Sequence, residues 1–205
     1  DPSWSRGLGD VYKRQSVESV SFFTGDKLNH AKANKEVILS AGAIGSPHLL
    51  QISGIGDSEK IKNQGIDIVH ELKGVGKNLQ DHLMFRPVYK LKNIKSLNRD
   101  VESLYSKFLM GLQYILKHSG PITMGASQVC AFTKSDPSRA TPNLQFHVQP
   151  LSTDILGVTP MHNFEGITPT VANIRPTSRG EINITSNDSR DNPKIKMNYL
   201  STEDD

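Results

Sequence analysis

Histidines, glycine pairs and a lone cysteine are the residues through which this chain could do chemistry. His147 lies in Asn143-Leu144-Gln145-Phe146-His147-Val148-Gln149, where Leu144, Phe146 and Val148 face one way and Gln145, His147 and Gln149 the other. A strand with one polar face borders either solvent or a polar cavity. His82 closes Asn78-Leu79-Gln80-Asp81-His82, and is either a hydrogen-bonded structural histidine or part of a site. Gly-Xaa-Gly pairs stand at Gly54-Ile55-Gly56 and Gly74-Val75-Gly76. The second follows an apolar run, as a dinucleotide-cradling loop would, but Leu79 occupies the position that needs a small residue, so a plain turn is expected. Cys130 is the single cysteine, which excludes an internal disulfide or a Cys-rich zinc site and reads as a small buried hydrophobe. The serines have no partnered base at a readable spacing, so a hydrolase triad is unsupported, and no metal ligand set is seen.

The elements that must position these residues can be sketched from periodicity. Ser16 to Phe23 alternates and runs into Thr24-Gly25-Asp26, a hairpin signal. Glu36-Val37-Ile38-Leu39 ahead of Ser40-Ala41-Gly42 predicts a buried strand whose end lets something approach closely. Ser46 and Pro47 are expected as N-cap and first residue of a short helix that Gly54 stops. A second helix is expected over 57–64, capped by Asp57 or Ser58, with Ile61 inward and Gly65 as the stop, then a strand over Ile66 to Val69. Val101, Leu104, Tyr105, Phe108, Leu109, Leu112 and Ile115 recur at helical spacing up to Ser119-Gly120-Pro121, predicting one amphipathic helix over 101–117. Beyond it, runs at 128–133, 143–149, 168–175 and 180–185 predict antiparallel sheet. Arg175 and Arg179 bracket a Pro-Thr-Ser turn, read as a solvated hairpin tip in preference to a ligand contact.

Composition narrows the function class. The chain carries 24 Lys+Arg against 21 Asp+Glu, too balanced for a protein that binds nucleic acid through counterion release. No apolar run reaches the roughly 18 residues of a membrane-spanning helix. Residues 5–15 look like a translated sequencing-library adapter, so 1–15 are set aside as a non-native leader. With no initiator methionine and no terminating element after Thr202-Glu203-Asp204-Asp205, the chain is expected to be an internal piece of a longer protein.

One segment is more specific than the rest. Gly42-Ala43-Ile44-Gly45-Ser46-Pro47-His48-Leu49-Leu50-Gln51-Ile52-Ser53-Gly54-Ile55-Gly56 resembles the second signature of the glucose-methanol-choline (GMC) oxidoreductases, flavoproteins that oxidise alcohols. Gly74-Val75-Gly76-Lys77-Asn78-Leu79-Gln80-Asp81-His82, Arg175-Pro176-Thr177-Ser178-Arg179-Gly180-Glu181 and Asn198-Tyr199-Leu200-Ser201 resemble that family too.

The resemblance implies an α+β protein. An α/β layer over 16–85 would be the C-terminal part of an FAD-binding domain, and 86–205 an antiparallel-sheet substrate domain with helices, truncated at its end. FAD is the implied cofactor, and Ala41 and Gly42 would lie close to its adenine-ribose portion, unless they are small only because strand and helix cross tightly. His147, Met84 and His82 are the implied substrate-pocket residues. Choline-oxidising relatives commonly carry a glutamate two residues beyond the histidine equivalent to His82, and this chain has Met84, so poor activity on choline and better activity on neutral, apolar alcohols is expected. The glycine-rich FAD loop would precede residue 16 and the catalytic histidine would follow Asp205, so no catalytic residue is assigned here, and this piece alone is expected neither to hold FAD tightly nor to turn over. The implied partners are a small alcohol and an unidentified electron acceptor, with no nucleic acid and no membrane span, in the cytoplasm. The alternative is a non-catalytic relative that keeps the fold for binding or structure.

Overall fold

The computed structural model describes residues 17–125, 127–155 and 157–205. The expected leader at 1–15 therefore lies outside the described residues. In chain order the elements are β1 (Ser19–Thr24), β2 (Lys27–Lys32), α1 (Gly42–Ile52), β3 (Ile55–Gly56), α2 (Ser58–Lys62), β4 (His70–Glu71), β5 (Met84–Phe85) and β6 (Tyr89–Lys90). They continue as α3 (Asn98–Glu102), α4 (Leu104–Lys117), β7 (Val129–Thr133), β8 (Leu144–Gln149), β9 (Gly166–Asn173), β10 (Glu181–Asn183) and β11 (Lys194–Lys196). Among the described residues no helix is long and apolar enough to cross a membrane.

The chain divides into two units. The first takes the described residues up to Asp81 together with Thr177–Asp205, and the second is His82–Pro176. The chain thus passes from the first unit to the second after Asp81 and returns at Thr177, so that the final segment packs with the first unit. The backbone of Leu79 and Gly180 exchanges two hydrogen bonds, Leu79 N donating at 3.1 Å and Gly180 N at 2.8 Å. Thr177 and Ser178, at the re-entry, donate their N–H groups to Asp205 Oδ1 at 2.6 Å and 3.4 Å. Arg179 is thus no hairpin tip: its Nε donates to Asn78 Oδ1 at 2.8 Å.

In the first unit, β1 and β2 pair antiparallel with Thr24 opposite Lys27, which leaves Gly25 and Asp26 as the two-residue turn, Gly25 at φ 61. No ladder forms over 36–39, contrary to the expected buried strand, and Ile38 is 77% exposed. A strand needs a partner, and this run pairs with no described strand. α1 begins four residues before Ser46, with Ala41 as N-cap and Pro47 inside the helix. Ser46 still serves the helix start, its Oγ accepting from Ala41 N at 3.1 Å. Asp57 caps α2 as expected, accepting from Glu59 and Lys60 N–H, and Gly65 follows it at φ 72. Pairing does not include Ile66 to Val69. It begins at His70, with β4 parallel to β3, while Ile66 and Ile68 pack on the core of Ile52, Ile61 and Ile184. Complete burial of Ile61, at 0% exposure, contributes about 2–3 kcal/mol.

The second unit is an antiparallel sheet in which β9 pairs β8 on one side and β5 and β6 on the other, with β7 beyond β8. The expected single helix over 101–117 is two helices, broken at Ser103 (φ −72, ψ 122), whose hydroxyl accepts from Ser106 N at 3.3 Å. Its apolar stripe does not face inward: α4 buries none of its residues. A polar pair is deeply buried in this unit, Ser152 at 0% and Asn98 at 1% exposure. Asn98 donates through Nδ2 to Ser152 Oγ and the carbonyls of His162 and Phe164, and accepts from Ser152 N through Oδ1.

Candidate functional site

In the first unit, the start of α1 combines three features. Gly42 sits at φ 77, a left-handed conformation that only glycine adopts cheaply, and no atom lies within 4 Å of where its Cβ would be. The helix has no acidic residue in its first turn, and its N-cap, Ala41, has no side chain that could bond the first N–H groups. Its exposed N–H groups and positive dipole end therefore suit an electron-rich or anionic group approaching the backbone. Ala41, beside it, is half-buried. Space is open at Gly42, while a Cβ on Gly45 would lie 3.0 Å from the Ala41 methyl. Further along α1, burial pulls the His48 imidazole below its ordinary pKa, keeping it neutral.

The remaining glycines of the signature serve packing. A Cβ on Gly54 would strike the Asp67 carbonyl, and one on Gly56 would meet the Ile61 side chain at 3.0 Å. Gly76 is closed in the same way by the Ile182 carbonyl and the Gln51 amide, whereas Gly74 has open space around it. This is the plain turn expected from Leu79. Its Lys77 bonds Glu181, which Lys60 also reaches at 3.0 Å.

In the second unit, register decides which candidates share a surface. His147 stands opposite Cys130 on β7 and Thr170 on β9, and Met84 opposite Ala172. Because side chains alternate, Met84, Ala172, Thr170, Thr168, Gln145, His147, Gln149 and Cys130 share one face. Two strands and one pleat separate Met84 from His147, on the order of 12 Å. Thr168 and Thr170 are buried, at 1% and 4% exposure, and Arg86 donates to Gln149 Oε1 at 3.2 Å. His147 is half-buried in this polar surface. Met84 is 57% exposed, and His82, the exposed first residue of the unit, precedes it by two positions. Cys130 is exposed, against expectation, because β7 leaves both of its faces open.

Sequence reasoning missed a cavity of about 310 Å³ in the same unit, bounded by Leu97, Val101, Met110, Ile122, Met124 and Gln128 among others. None of His82, Met84 and His147 lines it. Its walls come from segments far apart in the chain, and the only local signal was the pair of methionines, whose flexible thioethers suit irregular apolar space. Among the described residues, no group of three His, Cys, Asp or Glu side chains could hold a metal ion.

Residues 11–84 match the profile of GMC oxidoreductase. An oxygen-dependent choline dehydrogenase of Photobacterium profundum is 39% identical over 195 residues, 95% of this chain and 34% of the relative. The chain belongs to the GMC oxidoreductase family. A second oxygen-dependent choline dehydrogenase, of Chromohalobacter salexigens, is 38% identical over 98% of this chain and 36% of its own length. The chain thus spans about a third of the curated GMC oxidoreductases it matches. Among solved structures, a formate oxidase of Aspergillus oryzae RIB40 superposes with a TM-score of 0.86 at 22% identity, over 98% of this chain and 40% of that one. Pyridoxine 4-oxidase from Mesorbium loti gives 0.73 at 22% identity, over 98% and 35%. The mixed α/β architecture with small sheets is therefore part of a GMC oxidoreductase fold. Members of this family bind FAD, and the open, small-residue start of α1 fits such a group.

Proposed function

We propose that the complete protein carrying this chain oxidises a primary alcohol to an aldehyde by hydride transfer to FAD, with neutral, apolar alcohols preferred over choline. The single observation that carries the substrate side is the polar sheet face on which His147 stands between Cys130 and Thr170. The similarity to choline dehydrogenases supports alcohol chemistry. Bound FAD would supply the hydride acceptor. Ala41 and Gly42 would hold it through backbone approach, since neither presents a side chain large enough to block contact.

His147 would hydrogen-bond the substrate hydroxyl and orient its C–H bond, a positioning role that a half-buried imidazole on a rigid strand can fill. Met84 would present a thioether on the same face, leaving a quaternary ammonium without a counter-charge while suiting an aliphatic or aromatic chain. His82 would border this region from the start of the second unit. The proton of the hydroxyl would go to a base elsewhere in the complete protein.

The test is steady-state oxidation of choline, 1-butanol and benzyl alcohol by the complete protein with FAD and a dye acceptor. Choline is expected to show the lowest kcat/KM, and His147→Ala to lower kcat/KM for the best alcohol by about tenfold or more, the loss of one good hydrogen bond. A choline kcat/KM equal to or above the others would sink the substrate preference. An unchanged His147→Ala value would remove that residue from the site. Retained flavin with no turnover on any alcohol would favour the non-catalytic alternative.

A further inference from the structure

The first unit contains a cavity of about 240 Å³ bordered by Lys77, Asn78, Arg179, Glu181, Lys196 and Asn198. Three cations and one carboxylate border it, and that carboxylate is already committed. Glu181 sits directly across the β10–β11 ladder from Lys196, yet its Oε2 accepts from Lys60 at 3.0 Å and from Lys77 at 2.5 Å. Lys196 is left without an ion pair or side-chain hydrogen bond among the described residues. An unpaired ammonium, a guanidinium and a lysine already sharing one carboxylate therefore face a common space.

The arginine in that group is built in rather than loose. Its Nε donates to Asn78 Oδ1 at 2.8 Å, its Nη1 to the Ser178 carbonyl at 3.0 Å, and its own carbonyl accepts from Asn198 Nδ2 at 3.2 Å. Asn78 and Asn198 both hold left-handed backbones, φ 61 and φ 59, a conformation that asparagine tolerates better than other side-chain-bearing residues. Both asparagines thus face the cavity from loop positions that orient Arg179. A planar guanidinium held beside an unpaired ammonium matches the charge and geometry of a tetrahedral oxyanion.

We infer that this cavity is an oxyanion site for a phosphate group, held by Lys196 and Arg179 with Lys77 at its border. The volume exceeds that of a bare phosphate and leaves room for a small organic part. Glu181 would repel an anion were its charge not spent on Lys60 and Lys77, so the ion network is what makes the site possible. The site is separate from the start of α1 in sequence and does not depend on the alcohol-oxidation reading.

The test is calorimetric titration of inorganic phosphate into the complete protein at pH 7, with chloride added to matched ionic strength as the control. Phosphate is expected to bind saturably where chloride does not, and Lys196→Gln to weaken it at least fivefold. Lys194→Gln, on the same strand but outside the cavity, is expected to leave the affinity unchanged. Glycerol 3-phosphate binding tighter than inorganic phosphate would assign the site to a phosphomonoester, and equal affinities would assign it to the free ion. Absence of a phosphate signal above chloride, wild-type affinity in Lys196→Gln, or equal weakening by Lys194→Gln would overturn the inference.

Discussion

Gln51 and Ile182, 131 positions apart, are joined by a hydrogen bond of 2.9 Å from the Gln51 side-chain amide to the Ile182 carbonyl. The same amide accepts from Ile184 N at 2.9 Å through its oxygen. A 4% exposed side chain on α1 thereby completes the edge of β10 as another strand would. Gln51→Leu would leave a buried N–H and a buried carbonyl without partners, at about 1–3 kcal/mol each. A urea titration followed by far-ultraviolet circular dichroism is expected to show a large drop in midpoint. An unchanged midpoint would mean that water replaces the amide there.

The two glycines of the Gly74-Val75-Gly76 turn should differ sharply. A Cβ at Gly76 would collide with the Ile182 carbonyl and the Gln51 amide at φ 79, whereas nothing lies within 4 Å of one at Gly74. Gly76→Ala is expected to destabilise the protein by about 2 kcal/mol or more, and Gly74→Ala by less than about 0.5 kcal/mol. Paired thermal melts check this.

Glu181 makes part of the stability pH-dependent. Hydrogen bonds from Lys77 and then Lys60 hold its carboxyl pKa down at about 2. A carboxyl depressed below its unfolded value of about 4.3 contributes stability that is full above that value and lost as pH falls through the folded pKa. The lysines are 37% and 42% exposed, so solvent screening limits the contribution to about 1 kcal/mol at pH 7. Urea midpoints at pH 6 and pH 2.5 should therefore converge between wild type and Glu181→Gln. A constant gap across that range would show that the pair is not the cause.

Asn98 carries the second unit's buried polar hub. Asn98→Leu would strand Ser152 N, which donates to it at 2.8 Å, and release the carbonyls of His162 and Phe164. A loss of about 3 kcal/mol is expected. Proteolysis of the loop over 151–164 should accelerate in parallel, and unchanged cleavage there would argue that the hub does not fasten it.

Met84→Glu tests the basis of the proposed substrate preference. A carboxylate at this 57% exposed position on β5 would supply a counter-charge for a quaternary ammonium. The ratio of choline to 1-butanol kcat/KM in the complete protein is expected to rise by about tenfold, the scale of one close charge pair. A constant ratio would place Met84 outside the pocket.

Local chemistry was legible in the sequence wherever the deciding interactions span a few residues. The Gly25–Asp26 turn, the Asp57 cap, the glycine stops at Gly54 and Gly65, and the alternating runs of β7 and β8 all follow from backbone preference and nearest-neighbour hydrogen bonds. Glu36 to Leu39 and Ile66 to Val69 have the composition of strands, but a ladder is a property of two segments: the first run joins no described ladder, and the second makes one bond, Val69 N to the Gly54 carbonyl at 2.9 Å, before pairing begins at His70. Ser103 was invisible inside an unbroken apolar stripe, because its hydroxyl competes with the helix only once the chain bends there.

What the sequence alone determined is the family signature and the residue types able to serve it. Only the tertiary structure returned Thr177–Asp205 to the first unit, through Gln51, Gly76 and Leu79, and only sheet register put Met84 and His147 on one face. Those choices rest on burial and hydrogen bonds summed over residues about a hundred positions apart, which no local window of sequence can report.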